Sequence, residues 1–289
     1  MLNKGYVKPF KTYEEQLCIL SERGLAINDE PFAQSVLRRV GYYRLSAYSL
    51  TLRKKDDHFY GGVTFENIYE LYRFDDAFRR VVLKYSCYIE ILFRSYISYF
   101  HAGKYQPLGY LDSSNFADIS RHSNFLSELS KEVNRSDDVF IEHHKTNHGS
   151  VYPFWVIIEV TSYGVLSKLY KNLLVDDRNE IAKRYVHYGR KYVENWLQCC
   201  TYCRNVAAHG GRFYNRHLKS CPVKLSKKDS ALVSNTSPFA FVIAIHHLLP
   251  DDATKQRFID ELEGIYVSHP FALLRHMGFP EDWKDILAR

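Results

Sequence analysis

FENIYELYRFDDAFRRVVLKYSCYIEILFRSYISYF, Phe65–Phe100, decides the fold. Within it Leu71, Phe74, Phe78, Val81, Val82, Tyr85, Ile89, Leu92, Phe93, Tyr96 and Ile97 recur at steps of three and four. That is the period of one buried helix face. The spacing predicts a helix starting after Thr64 and running to about Phe100. At 1.5 Å per residue it is roughly 50 Å long, enough to bend or break.

The rest of the chain also reads as helix. YEEQLCILSERG forms a short helix that ends at Gly24, and Asn28 or Asp29 caps a second, with Pro31 in its first turn and Gly41 at its end. Its apolar face carries Phe32, Val36, Leu37 and Val40. The aromatic-rich Tyr42–Arg53 segment fits helix or strand, and Lys54–Gly62 is a loop. Further on, a loop or short helices fill Gly103–Asn124, a helix covers Phe125–Val133, and the polar, histidine-rich Asp137–Ser150 reads as irregular. Pro153 starts a helix reaching Leu173. YVENWLQCCTYCRNVAAH forms another, closed by Gly210 and Gly211. Pro238–Leu249, Ala253–Glu263 and Pro270–Met277 make a helical tail. The expected class is all-α, a helical bundle with extra N-terminal and C-terminal helices. Residues 1–60 are expected to be an extension packed on a main helical domain, 61–289.

The 289 residues, 46% apolar and 25% charged, are enough for a real core and exclude a disordered chain. A net charge of +6 permits a polyanionic partner without requiring one. No apolar run is long enough for a membrane span, MLNKGYVKPF lacks the apolar region of a signal peptide, and the six cysteines show no framework spacing. A reducing cytoplasm is the expected location.

The charge is not evenly spread. From Asn195 to Lys228 there is no Asp or Glu, while Arg204, Arg212, Arg216, Lys219, Lys224, Lys227 and Lys228 lie in that window. At its centre stands CRNVAAHGGRFYNR, Cys203–Arg216. Arg204 and His209 are five residues apart, so on a regular helix they point about 140° from each other. They can meet at one site if the helix ends at His209 and frees its ring, or if two copies of the chain face each other across a two-fold axis. RNA phosphodiester cleavage matches that pair. The 2′-OH needs a base, the leaving 5′-oxygen needs an acid, and histidine can serve as either. A guanidinium holds the phosphate in a fork and stabilises the charge that develops on it. No metal or other cofactor is required, and DNA, lacking the 2′-OH, is spared. Tyr214 could stack on a base, and Asn205 or Asn215 could bond phosphate or base edges. A solvated basic loop ending a helix fits the same residues.

RNVAAHGGRFYNR resembles the Arg-x4-His signature of HEPN ribonucleases, and more specifically the Abi-like abortive-infection family of AbiD and AbiF type. Three companion segments resemble that family's blocks in the same order: GYYRLSAYSLTLR (Gly41–Arg53), YELYRFDDAFRRVVLKYSCYIEILFRSYISYF (Tyr69–Phe100) and PFWVIIEVTSYGVLSKLYKNL (Pro153–Leu173). The likeness covers roughly residues 10–220. It implies a HEPN-like helical bundle and a metal-independent endoribonuclease acting in anti-phage defence or as a toxin. Arg204 and His209 would then be the catalytic pair, and Asn205 the polar residue that follows the arginine. A single motif per chain implies a homodimer. A neutralising small RNA or protein antitoxin is compatible with the same likeness.

Arg212, Tyr214, Asn215, Arg216, Lys219, Tyr43 and Arg44 are the expected RNA contacts. Glu90 and Arg94, four apart in the long helix, form an ion pair that could orient the site; Glu159 could hold His209 or Arg204. Arg73, Asp75, Asp76, Arg79 and Arg80 read as a solvated face. Cys200-x2-Cys203 has no second pair to complete a zinc site, and neither it nor His143, His144 and His148 is expected to hold a metal. A helical protein that binds RNA without cutting it, and a purely structural one, remain open alternatives.

Overall fold

The computed structural model describes residues 7–288. The first six residues, which open the segment read for a signal peptide, lie outside them. Among the described residues the chain is all helix, with isolated bridges but no strand. The order is α1 (Tyr13–Glu22), α2 (Glu30–Val40), α3 (Tyr42–Ser46), α4 (Phe65–Tyr105), α5 (Ile119–Arg135), α6 (Val139–Asn147) and α7 (Phe154–Ile157). There follow α8 (Tyr163–Asn172), α9 (Val175–Ile181), α10 (Arg190–Ala208), α11 (Lys227–Ser230), α12 (Pro238–Leu248), α13 (Asp252–Ser268) and α14 (Trp283–Leu287).

The long helix is continuous over 41 residues. Thr64 caps it: its hydroxyl accepts from the Asn67 N–H while the Asn67 side chain returns the bond to the Thr64 N–H. The apolar stripe is buried from Phe65 to Ile97, and α7, α8, α10, α12 and α13 all pack on α4. Helix α10 lies between α4, α8 and α12. Pro238–His246 of α12 are buried on every side, as expected for a helix inside a core rather than on its surface. Cys199, Cys200 and Cys203 are free thiols packed into that core.

Several elements differ from the sequence expectation. Residues 139–147 form α6, which buries Ile141 and pairs Lys145 with Glu142, so this stretch is not irregular. The helix starting near Pro153 breaks after a 3₁₀ turn at Ile158–Val160. Thr161 is extended, its hydroxyl bonds back to the Ile158 carbonyl at 2.6 Å, and Ser162 caps α8 afresh by accepting from the Val165 N–H. Tyr42–Arg53 becomes the short α3 and a 3₁₀ turn rather than a strand.

The largest correction concerns the early turns of α4. Arg73 and Arg80 are exposed, but Asp75 is fully buried and Arg79 nearly so. The Asp75 carboxylate accepts from the Tyr48 hydroxyl at 2.7 Å, Arg79 Nη1 at 2.6 Å, and the backbone N–H groups of Phe213 at 3.0 Å and Tyr214 at 2.7 Å. Burial pushes the Asp75 carboxyl above its ordinary value, against the pull of these donors. A protonated acid would have to aim its own O–H at a donor, so the saturated group is a carboxylate. Replacing Asp75 with Ala leaves Asp76 as the one remaining carboxylate partner of the buried Arg79 and strands the Phe213 and Tyr214 N–H groups, and should cost about 3–5 kcal/mol in urea unfolding. Tyr48→Phe, which deletes one donor to Asp75 and one acceptor for Arg79, should cost about 1–2 kcal/mol. An Asp75→Ala protein as stable as the parent would show that this contact is not structural.

Candidate active site

Helix α10 presents the arginine–histidine segment at its C-terminal end. Trp196, Leu197, Cys200, Cys203 and Ala207 face inward, and Cys203 Sγ lies 3.8 Å from the Ser86 hydroxyl of α4. That fixes the rotation of α10. Arg204 is left half-buried, and Asn205 and His209 are exposed.

The helix stops in a Schellman turn. The Gly210 N–H donates to the Ala207 carbonyl at 3.1 Å and the Gly211 N–H to the Val206 carbonyl at 2.7 Å, with Gly210 at φ +64°. A Cβ on Gly211 would lie 2.8 Å from the Val206 side chain and 2.9 Å from its carbonyl oxygen, so no larger residue fits there. His209 is the last residue before this turn. Its ring makes no hydrogen bond among the described residues, which leaves both nitrogens open to solvent.

Arg204 is held from two sides. Its Nη1 donates to Asn205 Oδ1 at 3.1 Å, and its Nη2 lies 3.8 Å from Glu90 Oε2. Glu90 also accepts at 2.8 Å from Arg94, whose Nη2 donates in turn to the Thr161 carbonyl at 2.6 Å. That carbonyl is free because the chain is extended at the α7–α8 break. Asn205 therefore orients Arg204 here, and Glu90 stands between two guanidiniums. Burial pushes the Glu90 carboxyl up from its ordinary value, with Arg94 and then Arg204 pulling the other way.

The expected RNA contacts divide. Tyr214 is buried, its ring edge-on to Phe74 with centroids 6.0 Å apart, and offers no face to a base. Arg212 turns inward and donates to the Tyr214 carbonyl at 2.5 Å and the Asn215 carbonyl at 2.9 Å; burial lowers its pKa. Arg216 donates to the Arg212 carbonyl at 3.2 Å, and the Asn215 N–H, at φ +49°, donates to the His276 carbonyl. These four residues hold the loop in shape. Lys219 is exposed. Arg44 reaches the site by donating at 2.5 Å to the Gly210 carbonyl, and its neighbour Tyr43 is 91% exposed. Glu159 is exposed and pairs with neither Arg204 nor His209; the acid beside Arg204 is Glu90.

Residues 35–215 match a family described as Abi-like protein. The chain belongs to the Abi-like protein family. The matched span takes in Arg44, Asp75, Glu90, Arg94, Arg204 and His209, while Arg216 and Lys219 lie just beyond it. No curated protein and no solved structure matches the chain. Among the described residues no group of three or more His, Cys, Asp or Glu side chains is placed to hold a metal ion, and no helix is long and apolar enough to cross a membrane.

The Glu90 shift has a measurable consequence. A carboxyl whose folded pKa is raised adds stability that is full below its unfolded value, near 4.3, and is lost as pH rises through the folded value. Relative to Glu90→Gln, the parent should therefore lose ground in urea midpoint between pH 4 and pH 8. The opposite slope would mean that Arg94 and Arg204 outweigh the burial cost.

Proposed function

We propose that this chain is a metal-independent endoribonuclease of anti-phage defence or toxin type. His209 transfers protons and Arg204 holds the scissile phosphate. The observation behind the reading is the placement, on one helix end, of an exposed imidazole and a guanidinium whose one acid partner among the described residues is 3.8 Å away. In the reaction the ribose 2′-oxygen loses its proton to a base and attacks phosphorus. The bond to the 5′-oxygen breaks as that oxygen takes a proton from an acid. The products are a 2′,3′-cyclic phosphate and a free 5′-OH. One histidine can serve one of these steps, and a second copy of the chain supplies another for the other.

A homodimer fits this need. Tyr88, Ile91 and Tyr99 leave an exposed apolar stripe on α4, beside the turn that carries Glu90 and Arg94. Joining two copies through this face would bring their arginine–histidine ends towards one cleft. A small RNA or protein antitoxin would restrain the enzyme by covering His209.

Incubated in EDTA with labelled RNA and the matching DNA, the protein should cut only the RNA and leave cyclic phosphate ends. His209→Ala should abolish cutting while keeping most RNA affinity, because Arg204 and the basic surface still meet phosphate. Arg204→Ala should lower both. Cleavage by His209→Ala at the parental rate would end the nuclease reading. RNA bound but never cut by the parent would favour a binding protein. The solution mass should be twice the 34.0 kDa of one chain. A monomer whose rate is independent of concentration would rule out a shared site.

A further inference from the structure

We propose that the pocket beside α3, on the side facing α1, is a subsite for unpaired nucleotides of the strand that enters the Arg204–His209 site. The inference rests on the RNA reading above. The pocket measures about 870 Å³, within the range of nucleotide-sized sites, and its wall includes Lys8, Lys11, Arg23, Arg53, Tyr42 and Tyr43. Asp57 is the one acid among its lining residues, and it is engaged by Arg53 Nη1 at 3.3 Å. Lys11 pairs with Glu15 at 3.0 Å, whereas Lys8 and Arg23 have no acid partner among the described residues. The pocket is therefore strongly positive.

Two further observations point to a nucleotide rather than to a simple anion. First, Tyr43 is left 91% exposed at the pocket, although burying a tyrosine ring is strongly favourable. An aromatic face in water beside cations is the arrangement that stacks single-stranded bases.

Second, α3 ties the pocket to the proposed site. Arg44 follows Tyr43 directly and donates to the Gly210 carbonyl beside His209. Tyr42, Tyr43 and Ser46 face the pocket, while Arg44 faces the helix end. A strand leaving His209 over the single turn of α3 would meet Tyr43 and then the lysines and arginines. A duplex has its base faces covered and could not use this ring.

The test uses the full chain carrying His209→Ala, so that RNA stays intact, and reads fluorescence anisotropy of a short unstructured RNA. Adding Tyr43→Ala should weaken single-strand binding about tenfold, the effect of one stacked base, and should leave duplex binding unchanged. Tyr43→Phe keeps the stacking face and should bind like its parent. Arg23→Ala should lower the salt slope by about 0.7, the value for one phosphate contact on a single strand. Single-strand affinity and salt slope unaltered by both changes would overturn the subsite, as would no preference for single strand over duplex. Displacement by a free mononucleotide as effective as the strand itself would also overturn it, since the pocket would then be a small-nucleotide site. If the parent never cuts RNA but Tyr43→Ala still weakens binding, the nuclease reading falls and the subsite stands. If cutting depends on His209 while Tyr43→Ala and Arg23→Ala bind and cut as their parents do, the subsite falls alone. No RNA binding by the parent removes both.

Discussion

One buried carboxylate sets the geometry on which the site depends. Asp75 gathers donors from three separated parts of the chain: Tyr48 near the N-terminal helices, Arg79 one turn along α4, and the N–H groups of Phe213 and Tyr214 just past the glycine turn. Removing a charge from water is expensive, and that expense is offset only when every lone pair is well used. The arrangement therefore tolerates few other paths for the chain after Gly211. Cys203 against Ser86 and Arg204 beside Glu90 continue the contact along α4. On a regular helix positions 75, 86 and 90 fall within about 60° of one another, so one face of α4 aligns the whole segment from 203 to 214.

Much of this architecture was legible in the sequence because it rests on local signals. The 3.6-residue period marked α4 over most of its length, and the cap residues Thr64 and Asp29 and the glycines at 24, 41 and 210 marked helix ends. Where the outcome depended on tertiary contacts, the signal was weaker. The Val160–Ser162 break lies in an apolar, helix-compatible run, and it is stabilised by hydroxyl bonds that need the folded backbone. The helix at 139–147 is polar and short and buries little beyond Ile141, so periodicity could not mark it.

For the site, residue type pointed to Arg204, His209 and the Glu90–Arg94 pair, but not to which basic residues remain available. Arg212 and Arg216 look like phosphate ligands in a charge count, yet both bond loop carbonyls. Asp75 and Arg79 read as solvated because charged residues usually are. Their register held the contrary hint: position 75 follows Leu71 by four and precedes Phe78 by three, on the buried stripe itself. Arg44 lies 166 residues from Gly210, and nothing local ties the two.

The two arginines around Glu90 are not equivalent, and the difference gives them separate tasks. Arg94 sits within hydrogen-bond distance of both Glu90 and the Thr161 carbonyl, at 2.8 and 2.6 Å, so its Nη2 is committed to the protein. Arg204 approaches Glu90 only to 3.8 Å, beyond the range of an N–H···O bond, and spends one N–H on Asn205. Two guanidinium charges against one carboxylate leave the cluster with a net positive charge, and the weakly engaged, half-exposed Arg204 carries it outward. Under the proposed nuclease reading, an incoming phosphate would complete that balance without displacing any strong bond. Glu90 thus lies beside Arg204 without taking up its Nη2 in a hydrogen bond, which a fully formed ion pair at that position would not allow.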